Sequence, residues 1–122
     1  MASERSTKAI ERFAELFLEA RNSGVITARK YYDDGSRPKA PTGRATKFLS
    51  LIDELSDEQR EKLLEGIRYC IDISMFKFLC LLEESEFKLT IETDEIADDL
   101  VGPEEDNELR VKYWLWEERF GL

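Results

Sequence analysis

Apolar residues at a three-to-four spacing predict a first helix over residues 5–22, because this spacing places them on one helix face. The face consists of Ile10, Phe13, Phe17 and Ala20. Asn22-Ser23-Gly24 is a helix stop signal and is expected to end the helix. Residues 25–32 follow. Their β-branched and aromatic side chains suit a strand, and their length equally allows a two-turn helix.

Two further helices are predicted, connected by a helix–helix turn. The first covers residues 44–55 and has an apolar face. Ser56 and Gln59 have the spacing of a capping box, in which the serine hydroxyl accepts the Gln59 amide and the glutamine side chain reaches back. The second helix is therefore expected at about residues 57–84. From Tyr69 onward it is apolar on both faces, so we expect its second half to be buried on all sides.

A half-buried strand is predicted over residues 86–92, where apolar and polar residues alternate. A single strand needs a partner for its backbone groups. The candidates are residues 25–31, residues 111–116 and a second copy of the chain. Thr93 is expected to cap a short helix that ends at Val101.

The last segment carries helix signals at both ends. Gly102-Pro103, followed by acidic residues, is typical of a helix start, and Gly121 is typical of a helix end. A core stripe lies between them, formed by Leu109, Tyr113, Trp116 and Phe120. Residues 111–116 alone have strand propensity, but the end signals favour a helix over residues 103–120.

These elements predict a mainly α (α+β) fold. Four to five helices pack around a central hydrophobic helix at about residues 57–84, with one strand at about residues 86–92 or a small sheet. The length of 122 residues suits a single globular domain over residues 1–122. Residues 33–43 contain two prolines and no large apolar side chain after the turn, which predicts a flexible basic loop.

Acidic and basic residues are unevenly distributed along the chain. Residues 1–50 carry a net charge of +4 and residues 51–122 a net charge of −13. The acids are densest in residues 83–108, where twelve Asp and Glu accompany one base, Lys88. This density of negative charge bears on binding to other molecules rather than on the fold. The carboxylates repel one another and attract a positively charged partner.

Few residues are available for catalysis. Histidine is absent, which removes the commonest general base and the commonest metal ligand. Cys70 and Cys80 have apolar neighbours and are expected to be buried free thiols. The sequence has no phosphate-binding loop and no nucleophile elbow. We therefore expect no enzyme activity, no catalytic residues, no cofactor and no metal site.

The sequence also bears on location. The N-terminal residues lack the apolar segment of a signal peptide. No stretch reaches the roughly 20 apolar residues that cross a membrane. We expect a cytoplasmic protein that makes no membrane contact.

The acidic segment and a tryptophan beside it predict a partner-binding surface. Trp114 and Trp116 lie about 200° apart around a helix axis, so Trp114 is expected to be partly exposed. Aromatic residues are enriched at binding hot spots. The alternative is that Trp114 packs against the first helix. The candidate residues of this acidic surface are Glu92, Asp94, Glu95, Asp98, Asp99, Glu104, Glu105, Asp106 and Trp114.

The expected function is that of a small acidic protein-binding module. We expect a stoichiometric inhibitor, of the toxin-immunity or anti-defence type, that binds a basic, nucleic-acid-handling protein through its acidic 83–108 surface. The carboxylates of this surface would occupy the positions at which the partner otherwise binds phosphates, and the opposite charges would raise the association rate.

Three alternatives belong to other classes. One is a nucleic-acid-associated regulator that uses the basic 29–47 segment, with candidate residues Arg29, Lys30, Arg37, Lys39 and Arg44. The net charge of −9 argues against nucleic acid as the partner, because the acidic half would repel it. Another is a homo-oligomeric scaffold, a homodimer in which the predicted strand pairs across a two-fold axis. The last is a carboxylate-dependent Mg²⁺ enzyme.

Overall fold

The computed structural model describes residues 4–33, 37, 43–101 and 108–122. Within these residues the chain is mainly helical, with four helices and one two-stranded sheet, which confirms the predicted mainly α (α+β) class. The helices are α1 (Glu4–Lys30), α2 (Gly43–Asp53), α3 (Asp57–Glu84) and α4 (Glu108–Phe120), and the strands are β1 (Leu89–Glu92) and β2 (Ala97–Val101). Most of the predicted loop at residues 33–43 lies outside the described residues.

The first helix does not end at Asn22, as predicted, but continues to Lys30. The Asn22 side chain serves the end of α4 instead. Its Nδ2 donates to the Phe120 carbonyl at 2.9 Å, and its Oδ1 accepts the Leu122 amide at 3.1 Å. Gly24 has no positive φ and so does not adopt the left-handed conformation of a helix cap. The strand alternative for residues 25–32 was therefore wrong.

The capping box between α2 and α3 is confirmed. Ser56 Oγ accepts the Gln59 amide at 3.2 Å, and Gln59 Oε1 accepts the Ser56 amide at 2.9 Å. Arg60 Nε also donates to the Ile52 carbonyl at 3.0 Å. Two helix ends that would otherwise leave backbone groups unpaired are thus satisfied locally.

The second half of α3 is not buried on all sides, so that prediction was wrong. Leu79 is fully buried, but three large apolar side chains are exposed: Tyr69 (63%), Phe78 (55%) and Leu81 (69%). Both cysteines are free thiols, but the expected burial was wrong, since Cys70 is exposed and Cys80 is half-buried. A helix that is apolar all round is covered only where other elements reach it. Phe78 stacks on Phe17 of α1, with ring centroids 6.2 Å apart, and is covered only in part.

The strand at residues 86–92 finds its partner within the chain. β1 and β2 form an antiparallel hairpin, so the predicted helix between Thr93 and Val101 was wrong. Thr93 does cap backbone amides, since its Oγ1 accepts those of Glu95 at 3.2 Å and Ile96 at 3.0 Å. These bonds close a tight turn rather than start a helix. The opposed residues are Glu92 with Ala97, Ile91 with Asp98, Thr90 with Asp99 and Leu89 with Val101.

The predicted last helix is confirmed from Glu108 onward, and residues 102–107 lie outside the described part. Its first amides are capped by α3, because the Glu83 carboxylate accepts those of Leu109 at 3.2 Å and Arg110 at 2.9 Å. Of its core stripe, Leu109, Tyr113 and Trp116 are buried and Phe120 is half-buried. No helix in the described ranges is long and apolar enough to span a membrane.

Internal contacts divide the chain into two compact units. The hairpin unit comprises Met1–Asn22 with Asp72–Leu122, and the α2 unit comprises Ser23–Ile71. The hairpin unit has one apolar core, to which α1, α3, α4 and both strands contribute. It contains nineteen acids and nine bases, a net charge of −10, whereas the α2 unit carries +1. The predicted single domain stays a prediction.

Candidate protein-binding site: the acidic hairpin

The hairpin is anchored by its apolar side chains. Leu100 and Val101 are buried, and Leu89, Ile91 and Ile96 pack against the core of the hairpin unit. Because side chains alternate along a strand, the residues between these on β1 point the other way. Thr90 and Glu92 are accordingly exposed. The anchoring thus fixes which side chains the hairpin presents to solvent.

Three carboxylates lie at the tip of the hairpin. Glu92, Asp94 and Glu95 are exposed, and within the described residues none of these carboxylates makes a hydrogen bond or an ion pair. Glu92 ends β1, and the other two occupy the turn closed by Thr93. The tip therefore concentrates negative charge that its own chain does not neutralise there.

A shallow open pocket of about 330 Å³ lies beside the tip. It is lined by Arg12, Thr93, Asp94, Glu95 and Ile96. The Arg12 guanidinium is directed into an exposed pair with Glu15, at 3.0 Å. Exposed pairs of this kind contribute little free energy, so Arg12 can turn towards another carboxylate at small cost.

The acids of β2 differ from those at the tip. Asp99 accepts the Thr90 hydroxyl at 2.9 Å and pairs with Lys88 Nζ at 3.0 Å. The hydrogen bond from Lys88 has the largest effect on the pKa of the Asp99 carboxyl and lowers it, and the bond from Thr90 lowers it further. Asp98 and Asp99 are both half-buried. Asp99 thus joins the two strands to each other, and the predicted candidates Glu104, Glu105 and Asp106 lie outside the described residues.

Trp114 is 40% exposed, as its angular position on α4 predicted. Its ring packs on Phe76 of α3, with centroids 5.7 Å apart, and meets Tyr113 edge-on at 5.2 Å. These ring contacts lie on α3 and α4 rather than on the first helix. Val111 and Leu115 share the exposed side of α4, at 72% and 64% exposure. The hydrophobic pattern did not indicate these two residues as candidates, because they lie off the core stripe.

A buried ionic cluster was also missed. Arg21 is fully buried, and its Nε and Nη2 donate to the two oxygens of Asp72 at 2.9 and 3.0 Å. The Tyr113 hydroxyl donates to Asp72 Oδ1 at 2.7 Å. Arg21 also pairs with Glu117 at 3.2 Å and donates to the Leu122 main-chain oxygen at 2.8 Å. The cluster ties α1, α3 and α4 together.

The protonation of this cluster follows from its contacts. The hydrogen bond to Asp72 raises the pKa of Arg21, against the opposing effect of burial. Burial raises the pKa of Tyr113, and the bond to Asp72 raises it further. Arg21 and Tyr113 therefore keep their protons at neutral pH, and their bonds to Asp72 hold the three helices together.

The basic candidates of the alternative function are partly engaged. Arg29 pairs with Glu61 at 3.4 Å, and Arg37 donates to the Tyr31 carbonyl at 2.9 Å and to Asp53 at 2.6 Å. The bond from Arg37 lowers the pKa of Asp53. Lys30 and Arg44 are exposed, and Lys39 lies outside the described residues. Phosphate binding by Arg37 would require these bonds to break.

Metal-binding groups and relatives give no further indication of function. No three Cys, Asp or Glu side chains of the described residues converge as metal ligands do. Comparison with protein-family models, curated proteins and solved structures finds no match to this chain. The geometry and charge of the hairpin are therefore the features that bear on function.

Proposed function

We propose that this protein is a small acidic binding module whose hairpin tip binds a basic, nucleic-acid-handling protein. One observation carries the proposal: Glu92, Asp94 and Glu95 are exposed, without an ionic partner among the described residues. They belong to a unit with a net charge of −10. A field of this sign steers a basic partner towards the tip and raises the association rate.

The proposed mode of action is stoichiometric inhibition in the cytoplasm, of the toxin-immunity or anti-defence type. The tip carboxylates would contact the lysines and arginines that otherwise hold phosphates. The hairpin is anchored to the core by Leu100 and Val101, so little conformational entropy is lost when it binds. Carboxylates on an ordered turn can thus compete with nucleic acid.

The exposed side of α4 is proposed as a second contact. Trp114, Val111 and Leu115 present apolar and aromatic surface on one helix. Central aromatic residues commonly carry a large share of binding free energy, whereas exposed charges mainly set the rate of encounter. We therefore propose that the tip mainly sets the association rate and that α4 contributes part of the binding free energy.

Affinity capture from the source cells at low salt tests this proposal. The full chain is immobilised as wild type, as Asp94→Asn/Glu95→Gln and as Glu19→Gln/Glu118→Gln. Both double variants remove the same charge, but Glu19 and Glu118 are exposed on α1 and α4. Wild type and the control are expected to retain a basic protein that salt elutes and that the tip variant does not retain.

A functional readout completes the experiment. The captured protein should lose its binding to nucleic acid when one equivalent of wild-type chain is added, and keep it with the tip variant. The proposal is contradicted if the retained proteins are not basic, or if the tip variant and the control retain them equally.

A further inference from the structure

We propose that β1 pairs with β1 of a second copy of the chain, antiparallel and centred on Thr90, so that two hairpins form one four-stranded sheet. The inference rests on an unpaired strand edge, a self-complementary sequence along it and an exposed phenylalanine beside it. It shares Glu92 with the proposed tip but leaves Asp94 and Glu95 outside the paired segment, so a basic partner and a second copy can be tested separately.

The outer edge of β1 has hydrogen-bonding groups to offer. The sheet formed by the described residues has two strands, so β1 has β2 on one side only. The Thr93 amide donates to the Ile96 carbonyl at 2.6 Å, which makes these two a hydrogen-bonded pair. Such pairs alternate along an antiparallel ladder, so Ile91 also faces β2, whereas the backbone groups of Thr90 and Glu92 face outward.

Residues 88–92, which comprise β1 and the lysine before it, have a sequence that is self-complementary about Thr90. In this register Lys88 lies opposite Glu92 of the second copy, Leu89 lies opposite Ile91, and Thr90 meets its own copy. Opposite charges, aliphatic pairs and threonine pairs all stabilise directly opposed positions of an antiparallel pair. A two-fold axis produces each unlike pair twice, so the ion pair is formed at both ends. The register also places the outward backbone groups of Thr90 opposite each other.

The loop before β1 contains Phe87, which is 75% exposed. The same register places Phe87 opposite Thr93 of the second copy. A large apolar side chain next to an open strand edge promotes association. Pairing would cover it at both ends of the sheet. The paired segment is short, so we expect a weak dimer whose population rises with protein concentration.

Sedimentation velocity of the full chain over a range of concentrations tests the inference. The wild type is expected to shift from the 14.3 kDa monomer towards twice that mass. Glu92→Lys places like charges opposite each other at two positions and should weaken the dimer about tenfold or more. Lys88→Glu has the same effect across the axis but also removes the pair of Lys88 with Asp99 within the hairpin, so the exchange of the Ile91 amide checks that β1 stays paired with β2. The double variant Lys88→Glu/Glu92→Lys restores opposite charges and should restore the dimer. Lys77→Glu, exposed on α3, is the matched control.

Amide hydrogen exchange of the wild type gives an independent readout. The amides of Thr90 and Glu92 should gain protection as concentration rises, whereas that of Ile91 is protected throughout. Monomer at every concentration overturns the inference. A dimer that survives both single substitutions, or that the double variant fails to restore, overturns it too. If the variants unfold, the wild type is sufficient for the test. Amide exchange at Thr90 and Glu92 that does not change with protein concentration then overturns the inference.

Discussion

Asp72 interrupts the most apolar stretch of the sequence, and Arg21 is the residue that makes this possible. A buried carboxylate requires a partner, so an isolated acid in an apolar run indicates a buried base somewhere in the fold. The pattern could not name that base, because Arg21 lies 51 positions away on a helix with many other charges. The Tyr113 hydroxyl was equally hidden, since the stripe predicted its burial but not its bond.

Removal of Asp72 should therefore destabilise the protein strongly. Asp72→Ala leaves the Arg21 guanidinium buried with its bidentate partner lost, and should lower the free energy of unfolding by about 3–5 kcal/mol. Asp53→Ala breaks an exposed pair with Arg37 and should lower the free energy of unfolding far less. Urea denaturation of the wild type and the two variants measures both changes in the free energy of unfolding. Equal losses for the two substitutions would contradict the assignment of the cluster as a buried anchor.

Tyr113 should make stability depend on alkaline pH. Its pKa is raised in the folded protein, so below the ordinary tyrosine value of about 10 the hydroxyl is protonated in both states. Above that value the unfolded chain loses the proton while folded Tyr113 keeps it, so stability falls as the pH rises. Tyr113→Phe should show a shallower fall above about pH 10. Identical slopes in denaturation at several alkaline pH values would refute this.

Local signals predicted the elements well where both partners are close in sequence. The capping box joins Ser56 and Gln59, so the sequence alone contains the whole motif. Asn22 and Thr93 do cap backbone groups, as their residue types indicate, but the groups they cap depend on tertiary structure. Asn22 caps the far end of α4, and Thr93 closes a hairpin. A strand partner is likewise a tertiary property, which is why β2 was missed.

The capping box provides a test at the level of one element. Ser56→Ala removes the acceptor for the Gln59 amide and should lower the free energy of unfolding by about 1 kcal/mol. Ser50→Ala, exposed within α2, makes the same chemical change away from a helix end and should change it by about 0.5 kcal/mol or less. Thermal denaturation compares the two. An equal effect would show that the box does not stabilise the joint.

At the scale of the whole molecule, charge is sorted by unit rather than by half of the chain. Residues 1–22 have no net charge, yet they fold with the acidic residues 72–122, and the bases at Arg29 and Lys30 belong to the α2 unit. The sequence could show that acid concentrates in residues 83–108. It could not show that the tip keeps its carboxylates exposed while Asp99 is engaged, because that difference depends on the hairpin register.

Binding through the acidic tip is best tested by the association rate of the captured basic partner, measured at increasing salt concentrations. Steering by the field of the hairpin unit predicts a rate constant that falls steeply with ionic strength. The fall should be clearly shallower for Asp94→Asn/Glu95→Gln and should change less for Glu19→Gln/Glu118→Gln, whose charges lie away from the tip. A wild-type rate that does not respond to salt, or an equal response in all three proteins, would contradict binding through the acidic tip.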